Sequence, residues 1–139
     1  MNGNAPLDHH TALIYVMVLC SAVDGDMSDR EMMLIGDIVN KLPVFRDYNA
    51  ENLVAAAEGC AEFLNGEEGL DTVLGFVGEA LPPKLIETAY AIACEIVAAD
   101  NEATQEELRL LEIIRHRLGV ERLTAAAIER GIAALNRVL

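Results

Sequence analysis

Two stretches of this chain are too apolar to sit on the outside of a soluble fold, and each runs directly into a knot of acids. Ala12 to Val23 reads ALIYVMVLCSAV, and Leu85 to Ala99 reads LIETAYAIACEIVAA. No strand-like alternation bounded by turn residues competes with a helical reading of either. A helix that is apolar on most of its sides belongs in the middle of a bundle. The longest near-continuous apolar run, Ala12 to Val23, falls short of the ~20 residues a helix needs to cross a bilayer. Burial inside an all-helical protein is the remaining solution.

The acidic segment after each stretch belongs to a pattern that the chain carries twice. Shifting the sequence by 76 positions brings Val16 onto Ile92, Ala22 onto Ala98, Asp24 onto Asp100, Asp26 onto Glu102, Ser28 onto Thr104 and Glu31 onto Glu107. The register continues through Ile35 with Leu111, Ile38 with Ile114 and Leu42 with Leu118. The unit is a buried helix, an acidic turn, a capping box (SDRE, then TQEE) and an amphipathic helix. Two such units predict a pseudo-symmetric core in which the two apolar helices pack together, with Cys20 and Cys94 deep in the bundle near the acidic turns.

Between and around the units the helix signals are plain. The expected order is a helix from Leu7 or Asp8 to Val23, a second capped by Ser28 and ended at Pro43, a third from Asn49 or Ala50 to Leu64, and a short fourth over about Leu70 to Ala80. The prolines of LPPK, Leu81 to Lys84, precede the fifth, Thr104 caps a sixth that stops at Gly119, and a seventh spans about Leu123 to Val138. The buried face of the second comes from Met32, Leu34, Ile35, Ile38, Val39 and Leu42, and that of the sixth from Leu108, Leu111, Ile113, Ile114 and Leu118. The fold expected is all-α, a single bundle of about seven helices with an internal pseudo-repeat, residues 1–139 forming one domain. Composition agrees, since 53% of residues are hydrophobic but only 4% aromatic, a preponderance of small and aliphatic side chains that suits helices.

Charge narrows the partners. Ten Lys and Arg against 23 Asp and Glu leave −13 at pH 7, a field that repels nucleic acid and anionic membrane surfaces. Cations and basic protein surfaces are the expected counterparts. No basic start followed by an apolar core opens MNGNAPLDHH, so no signal peptide is read there and a cytoplasmic location is expected.

Capping explains Ser28, Glu31, Thr104 and Glu107, and leaves Asp24, Asp26, Asp100 and Glu102 without a structural reason. Gly25 and Asn101 are turn formers that aim the flanking carboxylates to one side. If the two turns meet, Asp24, Asp26 and Glu31 with Asp100, Glu102 and Glu107 supply up to six carboxylates, and without a cation their repulsion costs stability. An oxygen-only set suits Ca²⁺, Mg²⁺ or Mn²⁺ ahead of Zn²⁺. An EF-hand is excluded, because counting from Asp24 places Asp29 at the glycine position and Ile35 at the bidentate glutamate position. Solvated capping turns that bind nothing are the alternative.

The duplicated acidic turn together with LPPKLIETAYAIACEIVAADNEATQEELRLLEIIRHRLGV resembles the TerB and TerB-like tellurite-resistance family, related to the N-terminal domain of a membrane-anchored DnaJ-type co-chaperone. The resemblance covers about Ala12 to Val120. It implies an all-helical, non-enzymatic module with a divalent-metal site on those six residues, acting in metal or oxyanion stress beside an integral membrane partner of the TerC type. The protein would then be cytoplasmic and peripheral to the inner membrane through that partner. The second turn departs from the family pattern, reading DNE where DGE is usual.

Other chemistries find little support. The cysteines Cys20, Cys60 and Cys94 match no zinc or CxxC spacing and are expected as buried structural thiols. His9, His10 and His116 have no ligand-spaced partner and are expected at the surface; Glu112 and His116 are four apart, not the three of a di-iron ExxH motif. There is no GxSxG and no phosphate cradle. The arginines of the C-terminal third, from Arg109 to Arg137, are expected on solvated helix faces. A metal-independent acidic scaffold that docks on a basic partner is the second reading of function, and a metal-dependent hydrolase a distant third.

Overall fold

A computed structural model describes residues 7–22, 27–99 and 103–139. They form seven α-helices and no strands: α1 (His9–Ser21), α2 (Asp29–Lys41), α3 (Leu53–Leu64), α4 (Gly69–Ala80), α5 (Ile86–Ala98), α6 (Gln105–Leu118) and α7 (Arg122–Leu135). Short 3₁₀ turns at Pro43–Phe45, Ala50–Asn52 and Pro83–Leu85 lead out of α2 and into α3 and α5.

α1 is the axis of the bundle. Every residue from Ala12 to Ser21 is buried, and α2, α3, α4, α5 and α6 all pack against it. Its principal neighbour is α5, which buries Ala89, Tyr90, Ile92, Ala93, Cys94, Ile96 and Val97. The two apolar stretches thus pack together as their composition demands. Burying a Leu or Ile side chain contributes roughly 1.5–3 kcal/mol, so a helix buried along nearly its whole length cannot leave the interior without unfolding the protein.

The ends of the helices are set locally. Asp8 caps α1, its Oδ1 accepting from the Thr11 amide at 2.8 Å. Gly119 closes α6 with φ +73, a left-handed conformation in which glycine has no Cβ to clash. At the α3–α4 junction Gly69 is required for space, since a Cβ there would lie 2.5 Å from the Leu64 carbonyl oxygen. Glu68 next to it holds φ 54, the one positive φ at a non-glycine among the described residues.

Several expected details shift. Pro83 begins a 3₁₀ turn and α5 starts only at Ile86. α7 ends at Leu135, short of Val138. On α6 the inward residues are Leu110, Ile114 and Leu118, whereas Leu108 is 48% exposed, because docking beside α1, α4 and α5 rotates the helix away from the face that apolarity alone suggests. α7 buries only Ala125 fully and lies on α5. Two side-chain bonds fasten it there: the Tyr90 hydroxyl donates to Glu129 Oε2 at 2.5 Å, and Asn136 Nδ2 donates to Glu95 Oε1 at 3.0 Å.

Candidate functional site

The two capping boxes form as the sequence predicts. Glu31 Oε1 accepts from the Ser28 amide at 2.8 Å while Ser28 Oγ accepts from the Glu31 amide at 3.1 Å; Glu107 and Thr104 repeat the pair at 2.8 and 3.1 Å. Each box engages one oxygen of its glutamate. Among the described residues no donor meets the other oxygen of either carboxylate.

Both glutamates line the same cavity, of about 260 Å³. Its floor is Cys20 and Ser21 at the C-terminal end of α1, with Ile96 and Ala99 at the end of α5, while Arg30, Leu34 and Asp37 of α2 form the side. Glu107 is buried at 4% exposure and Glu31 is half-buried. The C-terminal ends of α1 and α5 and the first turns of α2 and α6 all border this space, so the negative ends of two helix dipoles are offset by the positive ends of two others. Asp24, Asp26, Asp100 and Glu102 lie outside the described residues, so the structure speaks for Glu31 and Glu107 alone. Among the described residues no group of three or more His, Cys, Asp or Glu side chains is assembled for a metal.

A residue that sequence reading missed completes the lining. Ser21 is 5% exposed, and its hydroxyl has no hydrogen-bond partner among the described residues. A buried hydroxyl without a partner costs about 1–3 kcal/mol, and a helical serine ordinarily avoids that by bonding back to the preceding turn. The signal was present in the repeat, because Ser21 falls on Val97 when the sequence is shifted by 76. A polar residue in the middle of an apolar run had a purely apolar counterpart. The carboxylates that line the cavity, Glu31, Asp37 and Glu107, share it with the guanidinium of Arg30.

Burial raises the Cys20 thiol far above its ordinary range, and the nearby Cys94 and Glu107 raise it further. Burial likewise pushes Cys60 and Cys94 up to about 12. With no metal bound, all three stay protonated at neutral pH and inert as nucleophiles, in keeping with structural thiols.

One histidine departs from expectation. His10 is buried at 7% exposure, its Nε2 lying 2.9 Å from the Val44 carbonyl oxygen and 3.3 Å from Asp47 Oδ1, with its ring stacked 5.7 Å from Phe45. The turn after α2 folds back over the start of α1 and covers it. His116 is exposed, as expected. Of the arginines, Arg117 pairs with Asp71 at 2.6 Å and Arg115 donates to the Val120 carbonyl at 3.2 Å, so the first ties α6 to α4 and the second secures the turn after α6, while Arg109, Arg122, Arg130 and Arg137 are solvated.

The profile of the family described as tellurite resistance protein TerB matches residues 10–130 of the chain. The chain belongs to the TerB family. The TerB match spans both capping boxes, Cys20, Ser21 and the whole of α2 through α6, so the cavity lies inside the family domain. TerB domains are in general non-enzymatic helical modules, and the all-helical bundle seen here agrees with that architecture. A search of the curated proteins and of the solved structures returns no match. Among the described residues no helix is long and apolar enough to cross a membrane.

Proposed function

We propose that this TerB protein is a non-catalytic cation-binding module that holds a divalent metal between its two acidic turns and passes the bound state to a protein partner. The observation that carries the reading is the convergence of Glu31 and Glu107, one from each repeat, on a single cavity. In the sequence Asp24 and Asp26 precede the first of these glutamates by a few residues, and Asp100 and Glu102 precede the second; all four belong to the ligand set of this reading. Ca²⁺, Mg²⁺ or Mn²⁺ suits these ligands better than Zn²⁺. Residues 1–139 act as one domain in this reading. The partner presents basic groups to a surface of net charge −13, and an integral membrane protein of the TerC type, met at the cytoplasmic face, is the candidate the family suggests for work in metal or oxyanion stress.

Calorimetric titration of Ca²⁺, Mg²⁺, Mn²⁺ and Zn²⁺ into the wild type, the Glu31→Gln, Glu107→Gln double variant and the Asp24→Asn, Asp100→Asn double variant tests this. Glutamine keeps an oxygen acceptor for each capping amide, so the first variant retains both boxes while losing the charges. Saturable heat in the wild type that falls in both variants supports the site. Silence in the wild type would favour the metal-independent scaffold, whose acidic surface alone recruits a basic partner.

A further inference from the structure

A groove of about 680 Å³ runs between α2 and α7, with α5 as its floor. It exists because α2 packs on α1 while α7 packs on α5, so the two helices stand apart above Ala91 and Ile92. Leu34, Ile38 and Leu42, spaced four apart on one face of α2, form one wall, and Ile132 and Leu135 belong to the other. Asp37, Lys41 and Glu95 supply its charged groups, which sum to −1. Leu135 is unlike the rest of the lining, because it borders the groove and is still 80% exposed. Asn136 beside it is fixed by hydrogen bonds to Glu95 Oε1 at 3.0 Å and to the Ile132 carbonyl at 2.9 Å. The end of α7 is thus pinned to α5 with a large apolar side chain held out at the lip, and Arg137, also exposed, follows two residues on. A leucine kept in water beside an open apolar groove marks a surface that something covers.

We propose that this surface is a two-fold interface between copies of the chain, in which Leu135 of each copy enters the groove of the other and Arg137 of each pairs with Asp37 of the other. A two-fold contact needs a patch that complements itself. Here the hole has a plug on its own lip, and the acid on the α2 wall has an arginine at the end of the α7 wall. An unlike partner would have to bring an apolar plug and a base that this surface already possesses. The net charge of −13 on each copy opposes association. Salt near 0.15 M limits the reach of that repulsion to about 8 Å, and apolar burial does not depend on charge. The repulsion is also milder at this end of the molecule, because residues 108–139 hold six Arg and three Glu, a net of +3. No metal enters the contact, so it stands or falls apart from the cation reading.

Analytical ultracentrifugation in chelator and near-physiological salt, from low micromolar to submillimolar protein, should show a reversible equilibrium between monomer and dimer. Leu135→Asp should weaken the dimer by about a hundredfold, because a two-fold contact registers each substitution twice. Asp37→Arg and Arg137→Asp should each weaken it as well, since each sets like charges against one another at both contacts. An equimolar mixture of these two variants should restore the dimer, because both contacts then join opposite charges, a rescue that no contact within one chain can produce. Asp37, Leu135 and Arg137 are exposed, so the variants keep the wild-type helical content, which circular dichroism verifies. A protein that stays monomeric at every concentration overturns the proposal and leaves the groove to an unlike partner. A dimer that Leu135→Asp does not weaken, or that the mixed variants do not restore, lies on another surface and overturns it equally.

Discussion

Ser28 and Thr104, 76 positions apart in the chain, start their helices with the same two hydrogen bonds, at 2.8 Å to the cap amide and 3.1 Å to the cap hydroxyl. Their surroundings differ, because Ser28 is exposed and Thr104 half-buried over a Glu107 that is 4% exposed. Loss of an N-cap costs about 1 kcal/mol at an exposed site and up to about 2 kcal/mol where the groups released are buried. Ser28→Ala should therefore lower unfolding free energy by about 1 kcal/mol and Thr104→Ala by about 2 kcal/mol, read from urea midpoints. Equal losses would show that burial of Glu107 adds nothing to its cap.

The Thr11 backbone amide holds the Asp8 carboxyl below its ordinary value of 3.8. A group whose folded pKa is depressed adds stability that is complete above the unfolded pKa and is lost as pH falls through the folded one. Comparison with Asp8→Asn isolates this, since asparagine caps without titrating. The advantage of wild type over the variant should be constant well above pH 3.8 and diminish below it. A difference independent of pH would count against the ionised cap.

Glu68 carries a left-handed backbone, φ 54 and ψ 36, at the N-cap of α4 with its side chain in solvent and no capping bond of its own. A non-glycine residue there costs about 1–2 kcal/mol, partly offset by the greater freedom glycine has in the unfolded chain. Glu68→Gly should stabilise the protein by about 0.5–1 kcal/mol, a Tm gain of a few degrees. A neutral or destabilised variant would mean that the carboxylate contributes at the helix start more than the strain costs.

Tyr90 is 1% exposed, and its hydroxyl reaches Glu129 on α7. Tyr90→Phe keeps the ring and removes the bond, costing about 1 kcal/mol, reduced from a fully buried case by the exposure of Glu129. Hydrogen exchange should quicken in α7 and remain unchanged in α1. Uniform acceleration across the protein would show that α7 does not open as a separate unit.

Helix identity was legible because its causes are short-range. SDRE and TQEE announce two helix starts, and both boxes form; LGV closes α6 at Gly119. Inward and outward faces were harder to read. Leu108 and Leu110 are equally apolar, and which of them turns inward depends on the angle at which α6 meets α1, α4 and α5. His10 has no sequence mark of burial, since the residues that cover it, Val44 to Tyr48, are more than thirty positions away.

The sequence by itself determined the all-helical class, the central place of α1 and α5 and the caps, since helix periodicity and cap chemistry act within a few residues. Tertiary structure alone decided that Glu31 and Glu107 open on one cavity, that Ser21 is enclosed there without a partner among the described residues, and that α7 hangs on Tyr90 and Glu95. Those outcomes arise from how α1, α2, α5 and α6 converge at one end of the bundle. Packing sets that convergence among residues far apart in the chain, and no local pattern records it.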